Sequence, residues 1–241
     1  MKKAIFLFDY TGIMAKPWAD AGYLCYCFDG QHPKGVSKSE HENILNCGMW
    51  FNNEVTGDLS LLDVDKIKAI VGDECAFVFG FPECTDLAVS GAAHFASKRD
   101  NNPFFQDEAM VLVGLVGLVG QEYECAWALE NPISVISSLL RKPDYIFHPF
   151  EYGGYLPNDD VHPLYPEYIK PRDAYPKKTC IWSGGGFAMP EIKPVDCDPG
   201  YSDQHKKLGG KSLKTKNIRS ATPRGFSIAV FESNKNLVGE L

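Results

Sequence analysis

The stretch Phe77-Val78-Phe79-Gly80-Phe81-Pro82-Glu83-Cys84-Thr85 constrains the fold more than any other part of the chain. A short apolar run rich in Phe and Val, stopped by Gly80 and Pro82, reads as a buried strand that delivers its carboxyl end into a turn. Cys84 sits on that turn. In open α/β sheets, ligands bind in the crevice outside the carboxyl ends of the strands, so a thiol there is placed for chemistry. The competing reading is a buried structural cysteine, which packs as a small apolar side chain.

Two further stretches fit the same sheet. Ala4 to Phe8 forms an apolar strand that Asp9-Tyr10-Thr11-Gly12 breaks into a turn. A helix with Pro17 in its first turn and Gly22 at its end follows, and Tyr23 to Phe28 makes a second strand ending at Asp29. In such a βαβ unit the glycine turn brings backbone N–H groups and a helix amino terminus near a ligand, and the acid can take a ribose diol. A plain turn-initiating acid is the alternative for Asp29. The third stretch, Tyr123 to Leu129, is a strand closed by Glu130-Asn131-Pro132, which puts a carboxylate at the same sheet edge as Cys84.

The rest of the chain is less regular. Residues 30–73 are polar and interrupted until a helix over 63–71, preceded by Gly57-Asp58-Leu59. Residues 86–91 are small, and form a loop or short helix beside the thiol. Residues 105–120 form a core helix, since their apolar run is about half of the ~20 residues that a membrane span needs. Its Gly114, Gly117 and Gly120 leave a shallow side that can lie close against the sheet. A helix from Ser134 to about Arg141 and a strand at Tyr145-Ile146-Phe147 come next.

From 149 to about 215 the chain turns rich in Pro and Gly, and reads as an irregular insertion crossed by one strand at 178–182. Its basic end, with Lys206, Lys207, Lys211, Lys214, Lys216 and Arg219, is either a solvated loop or a phosphate-contacting one. Arg224 stands close behind, before a helix-like Phe226 to Glu232.

With 241 residues and 44% hydrophobic content, the chain suits a single α/β domain spanning residues 1–241 and carrying that insertion. The eight cysteines are scattered without a Cys-x-x-Cys pair, which favours reduced thiols over a disulfide framework or a zinc site. The amino terminus runs directly into a strand, so a cytoplasmic location is expected. A formal net charge of −7 argues against a surface that coats nucleic acid generally, but leaves room for a local basic patch.

A thiol and a carboxyl group facing one pocket beside a nucleotide-like site suit one reaction in particular. Carbon-5 of cytosine is too electron-poor to attack a methyl donor until a thiolate adds at carbon-6, and an acid on ring N3 makes that addition possible. The residues resemble the DNA cytosine-5 methyltransferases, most closely the compact versions encoded by bacteriophages. Phe8 to Gly12 resembles the family's Phe-x-Gly-x-Gly loop, Asp29 falls at the ribose-binding acid, and Gly57-Asp58-Leu59 resembles its Gly-Asp-Ile segment. Phe81 to Thr85 resembles the Pro-Cys nucleophile loop, with Glu83 where the family has a proline, and Glu130-Asn131-Pro132 resembles its Glu-Asn-Val. Lys177-Lys178-Thr179 lies where the family has an arginine segment reaching the base, and Ser220-Ala221-Thr222-Pro223 resembles a degenerate final Gly-Asn-x-x-Pro.

The resemblance implies a Rossmann-like methyltransferase fold, with a mixed, mostly parallel sheet and helices on both faces. It implies S-adenosylmethionine held by Phe8, Asp9, Tyr10, Thr11, Gly12, Asp29, Asp58 and Pro82. Cys84 would be the nucleophile, Glu130 would hold N3, and Lys178 would reach the base. DNA would be the partner, gripped by the basic residues, in the host cytoplasm if the chain is phage-encoded. Two alternatives stay open: an enzyme of this fold that modifies a free cytosine nucleotide, and a non-catalytic protein that binds S-adenosylmethionine or DNA.

Overall fold

A computed structural model describes residues 1–55, 59–200, 202–210 and 212–236. The amino-terminal half runs β1 (Lys3–Leu7), α1 (Lys16–Asp20), β2 (Leu24–Phe28), β3 (Gly35–Lys38), β4 (Ile44–Gly48), α2 (Leu59–Val71), β5 (Phe77–Gly80), α3 (Phe95–Asn101) and α4 (Phe105–Glu122). The remainder runs β6 (Ala126–Pro132), α5 (Ile136–Leu139), β7 (Tyr145–Phe147), β8 (Thr179–Gly184), α6 (Asp203–Lys207), α7 (Leu213–Ser220) and α8 (Arg224–Asn234).

The strands form one mixed sheet in the order β3-β4-β2-β1-β5-β6-β8-β7. From β4 to β6 all neighbours are parallel, while β3 and β8 run antiparallel to the strands beside them. Ile5 is the hub of the register, opposite Tyr26 of β2 on one side and Val78 of β5 on the other. The chain builds outward from β1 in one direction and later in the other, which makes the β1/β5 junction a topological switch point.

Strand alternation sorts the core into two layers. Ala4, Phe6, Phe77 and Phe79 join Trp18 of α1 and Phe226 of α8 on one face, where Trp18 stacks on Phe77 at 4.3 Å. Ile5, Leu7 and Val78 join Val64 and Ile67 of α2 and Val113 and Val116 of α4 on the other. Burial on both faces explains why these strands are continuously apolar in sequence. The architecture is thus α/β, compatible with a Rossmann-like fold.

Two of the three helix glycines lie against the sheet as expected. A Cβ on Gly120 would fall 2.3 Å from the Trp127 ring and one on Gly117 would fall 3.3 Å from it, whereas Gly114 faces open space. The difference follows from the helical period, because a step of three residues turns 300° and successive glycines drift around the axis. Among the described residues, no single helix is long and apolar enough to cross a membrane.

Three expectations are corrected. The polar stretch after β2 holds the β3–β4 hairpin, and β4 extends the parallel sheet beside β2. Tyr123 to Cys125 is not strand but the turn leaving α4, so β6 starts at Ala126 and Glu130 lies inside the strand. The strand expected within the Pro-rich stretch after 149 is β8, an inner strand between β6 and β7, with Ile181 and Trp182 fully buried. Residues 149–155 also pack under α8, where Tyr152 meets Phe226 edge-on at 5.1 Å. The basic end is helical, and Ser202 and Ser212 cap α6 and α7 by accepting from His205 N and Thr215 N.

Candidate active site

The carboxyl ends of β4, β2, β1, β5 and β6 open into one cavity of about 540 Å³, and α7 lies across it. The loop after β1 is wound tightly. Phe8 adopts φ 60° and Gly12 φ 66°, and Asp9 Oδ1 accepts from Gly12 N at 2.8 Å and from Thr11 Oγ1 at 3.2 Å. A left-handed Phe is strained, and such strain persists where the surroundings hold it. Asp9 is only 3% exposed, and its Oδ2 has no hydrogen-bond partner among the described residues. Burial pushes its carboxyl up to about 6, with the charge of Asp29 adding to the effect.

Asp29, at the tip of β2, accepts from Gln31 N at 2.7 Å, and burial raises its carboxyl as well. Tyr10 stacks on His32 with ring centroids 5.3 Å apart. Trp50, which carried no motif, is 78% exposed and lies so close to Gly30 that a Cβ there would come within 2.3 Å of its ring. Both line the cavity. No periodicity marks a tryptophan after a short polar strand, so sequence reasoning passed over it.

The loop after β5 turns at Cys84, whose carbonyl accepts from Leu87 N and Ala88 N at 3.0 and 2.8 Å. Asn131 Nδ2 donates to Pro82 O at 2.9 Å and clamps this loop to β6. Glu130 faces the same cavity with its Oε1 buried and unpartnered among the described residues. Burial pushes the Glu130 carboxyl up, and the ammonium of Lys177 opposes this. The Cys84 thiol is raised by burial, then by the charges of Glu130 and Glu83, while Lys177 works the other way. A proton on Glu130 therefore makes the thiolate easier to form.

Lys177, rather than Lys178, belongs to the site. It lines the cavity and donates to Arg219 O at 3.0 Å, while Lys178 is solvent-exposed. Adjacent residues of an extended segment point to opposite sides, so the entry into β8 can present one lysine but not both.

The basic residues separate into groups. Lys216 and Arg219 line the cavity, with Lys216 paired to Glu83 at 3.0 Å and Arg219 donating to Leu208 O at 2.7 Å. Lys207 pairs with Asp203 and donates to Glu167 O, and Lys206 and Lys214 are exposed. Arg224 departs from the expected surface role: its guanidinium grips Asp160 through two bonds of 2.7 and 2.5 Å and is mostly buried. Asp58 and Lys211 lie outside the described residues.

Asn217 Nδ2 donates to Gln31 Oε1 at 3.1 Å, so α7 is held at the β2 tip through Asn217 and at the β5 tip through Lys216. Among the described residues, no group of three or more His, Cys, Asp and Glu side chains is placed to hold a metal ion. No protein-family model matches the chain, and no curated protein matches it at a significant level.

Proposed function

We propose that this protein methylates carbon-5 of cytosine, with Cys84 as nucleophile and Glu130 as the acid on the ring. One observation carries the proposal: the thiol and the Glu130 carboxyl, whose Oε1 is buried and without a hydrogen-bond partner among the described residues, line a single cavity beside the β1/β5 switch point. On this reading the mostly parallel sheet is a methyltransferase fold. S-adenosylmethionine, when bound, supplies the methyl group. The cavity suits it in size, within the few hundred Å³ typical of small-ligand sites, and Asp29 at the β2 tip suits a ribose diol.

The side chains divide the work. Cys84 Sγ, once deprotonated, bonds to carbon-6 of the ring, and the electron pair displaced from the carbon-5/carbon-6 bond becomes available at carbon-5. Glu130 in its protonated form hydrogen-bonds N3 and withdraws density as the thiolate adds. Burial favours that protonated form. Lys177 holds positive charge near both groups and favours the thiolate. After methyl transfer a base takes the carbon-5 proton, and the carbon–sulfur bond breaks to return the thiolate.

DNA is the substrate this reading favours, and α7 with Lys216 and Arg219 is the element that would meet phosphates. A second reading keeps the chemistry and gives it a free cytosine nucleotide. It is favoured by the position of α7, which bridges the cavity through Lys216 and Asn217 and must shift to admit a base extruded from a duplex.

The test is covalent trapping. With S-adenosylmethionine present, 5-fluorocytosine in DNA or as a free nucleotide should form a denaturation-resistant adduct that Cys84→Ser abolishes. An adduct with the nucleotide alone selects the second reading. Absence of any adduct with either substrate removes the methyl-transfer proposal.

A further inference from the structure

Four carboxyl groups line the cavity, those of Asp9, Asp29, Glu83 and Glu130. Three of them have other places or duties. Asp9 and Asp29 stand at the tips of β1 and β2, one and two strands away from β5, and neighbouring strands lie ~4.8 Å apart. Glu130 is needed in its protonated form at ring N3. Glu83 directly precedes the nucleophile on the β5 loop, and its charge acts on the Cys84 thiol.

Glu83 is also where the chain departs from the family it resembles, which has a proline there. A proline side chain cannot accept a proton, so this residue gives the loop a capacity that the resemblance does not supply. Thr85 Oγ1 donates to Glu83 Oε1 at 2.6 Å, and Lys216 Nζ donates to the same oxygen at 3.0 Å. Both bonds fall on Oε1, and neither engages Oε2. Burial pushes the carboxyl up, but Thr85 and then Lys216 bring it below the ordinary carboxylate value, so it stands ionised beside the thiol. The bond from Asn131 Nδ2 to Pro82 O fixes the loop that carries both groups.

The geometry of the covalent intermediate defines what such a carboxylate can reach. Cys84 Sγ on carbon-6 covers one face of the ring and leaves the other open for the methyl group, so the carbon-5 proton ends on the thiol's own side. We infer that Glu83 is a catalytic base that takes this proton, an assignment that rests on the methyl-transfer reading and names the group that completes it. The bond between carbon-5 and hydrogen breaks, and the proton passes to the Glu83 carboxylate. The electron pair left behind restores the carbon-5/carbon-6 double bond, the carbon–sulfur bond breaks with its pair on Cys84 Sγ, and Glu83 then gives the proton to water. When α7 shifts to admit a base, Lys216 leaves Glu83. That removes one of the groups holding the carboxyl down and strengthens the base as substrate enters.

Rapid-quench kinetics of Glu83→Gln with a tritiated methyl donor tests this. Adduct formation on 5-fluorocytosine, in DNA or as a free nucleotide, involves no proton removal and should be at least as fast as in wild type. On ordinary cytosine the first methyl transfer should persist, while steady-state turnover falls by about 100-fold or more and a methylated, denaturation-resistant adduct accumulates on Cys84. Glu83→Pro, which installs the residue of the resemblance, is a second variant and should arrest at the same point. Turnover within about twofold of wild type, or loss of turnover with no methylated adduct in either variant, would overturn the assignment. A wild type that traps neither form of 5-fluorocytosine fails the methyl-transfer reading itself, which is a different result from a wild type that traps and a Gln variant that turns over normally.

Discussion

Lys216 Nζ lies 3.0 Å from Glu83 Oε1, and this contact ties α7 to the loop that carries Cys84. Glu83 stands where the resemblance expects a proline, and an acid beside a thiol discourages the thiolate. The structure moderates that effect. Burial pushes the Glu83 carboxyl up, but Thr85 Oγ1 at 2.6 Å and Lys216 overcome it and hold the group ionised and paired.

Glu83 still adds to the causes that raise the Cys84 thiol, after burial and Glu130. Glu83→Gln should therefore lower the thiol's pKa and speed its alkylation by iodoacetamide, by roughly two- to fivefold at mildly alkaline pH. Mass spectrometry of the labelled Cys84 peptide follows the rate. A slower reaction would mean that Lys216, released from Glu83, no longer supports the loop.

Glu130→Gln preserves shape and a hydrogen bond but cannot deliver a proton. Turnover should fall by about 100-fold or more, with a much smaller change in substrate affinity. Steady-state kinetics with a tritiated methyl donor separates the two. Equal losses in kcat and in affinity would point to a structural role for Glu130 instead.

Asp9 predicts a pH dependence of stability. Its carboxyl moves from an ordinary 3.8 to about 6, chiefly through burial and then Asp29, against the hydrogen bonds from Gly12 and Thr11. The folded state thus holds the proton more tightly than the unfolded chain. The resulting stabilisation is complete below about 4 and is lost as pH rises through 6, by about 3 kcal/mol at most. Asp173, also raised to about 6, acts in the same sense, while His162, lowered to about 4, acts oppositely. Subtracting the Asp9→Asn melting profile from that of wild type isolates Asp9. A flat difference between pH 4 and 7 would show that Asp9 ionises freely.

Arg224 and the exposed lysines should part company. Arg224→Ala strands the buried Asp160 and should destabilise the fold by about 3–5 kcal/mol, seen in chemical denaturation. Replacing exposed Lys206 and Lys214 by Ala should leave stability nearly unchanged. If those two lysines meet duplex phosphates, their loss should reduce the salt slope of DNA binding by about 0.9 for each contact removed. An unaltered slope would place the DNA-facing surface elsewhere.

The local elements were written in local signals. Pro17 and Gly22 bracket α1, and the Phe- and Val-rich runs of β1 and β5 state their own burial, because a strand covered on both faces needs no partner to be recognised. Cys84 and Glu130 were legible for the same reason, each standing at the end of such a run. Chain order alone could not say that β4, with Asn46 in its middle and polar neighbours, would pair with β2, or that β8 would sit inside the sheet. Nor could it choose Lys177 over Lys178, which depends on the direction in which an extended segment enters its strand. The pairing of Glu83 with Lys216 spans 133 positions, and the buried Oδ2 of Asp9 is without a donor among the described residues only because of what the fold places around it. Periodicity and stop signals act over a few residues and so fix elements. Side-chain partnership depends on which strand tips the sheet order brings together, and only the folded chain decides that.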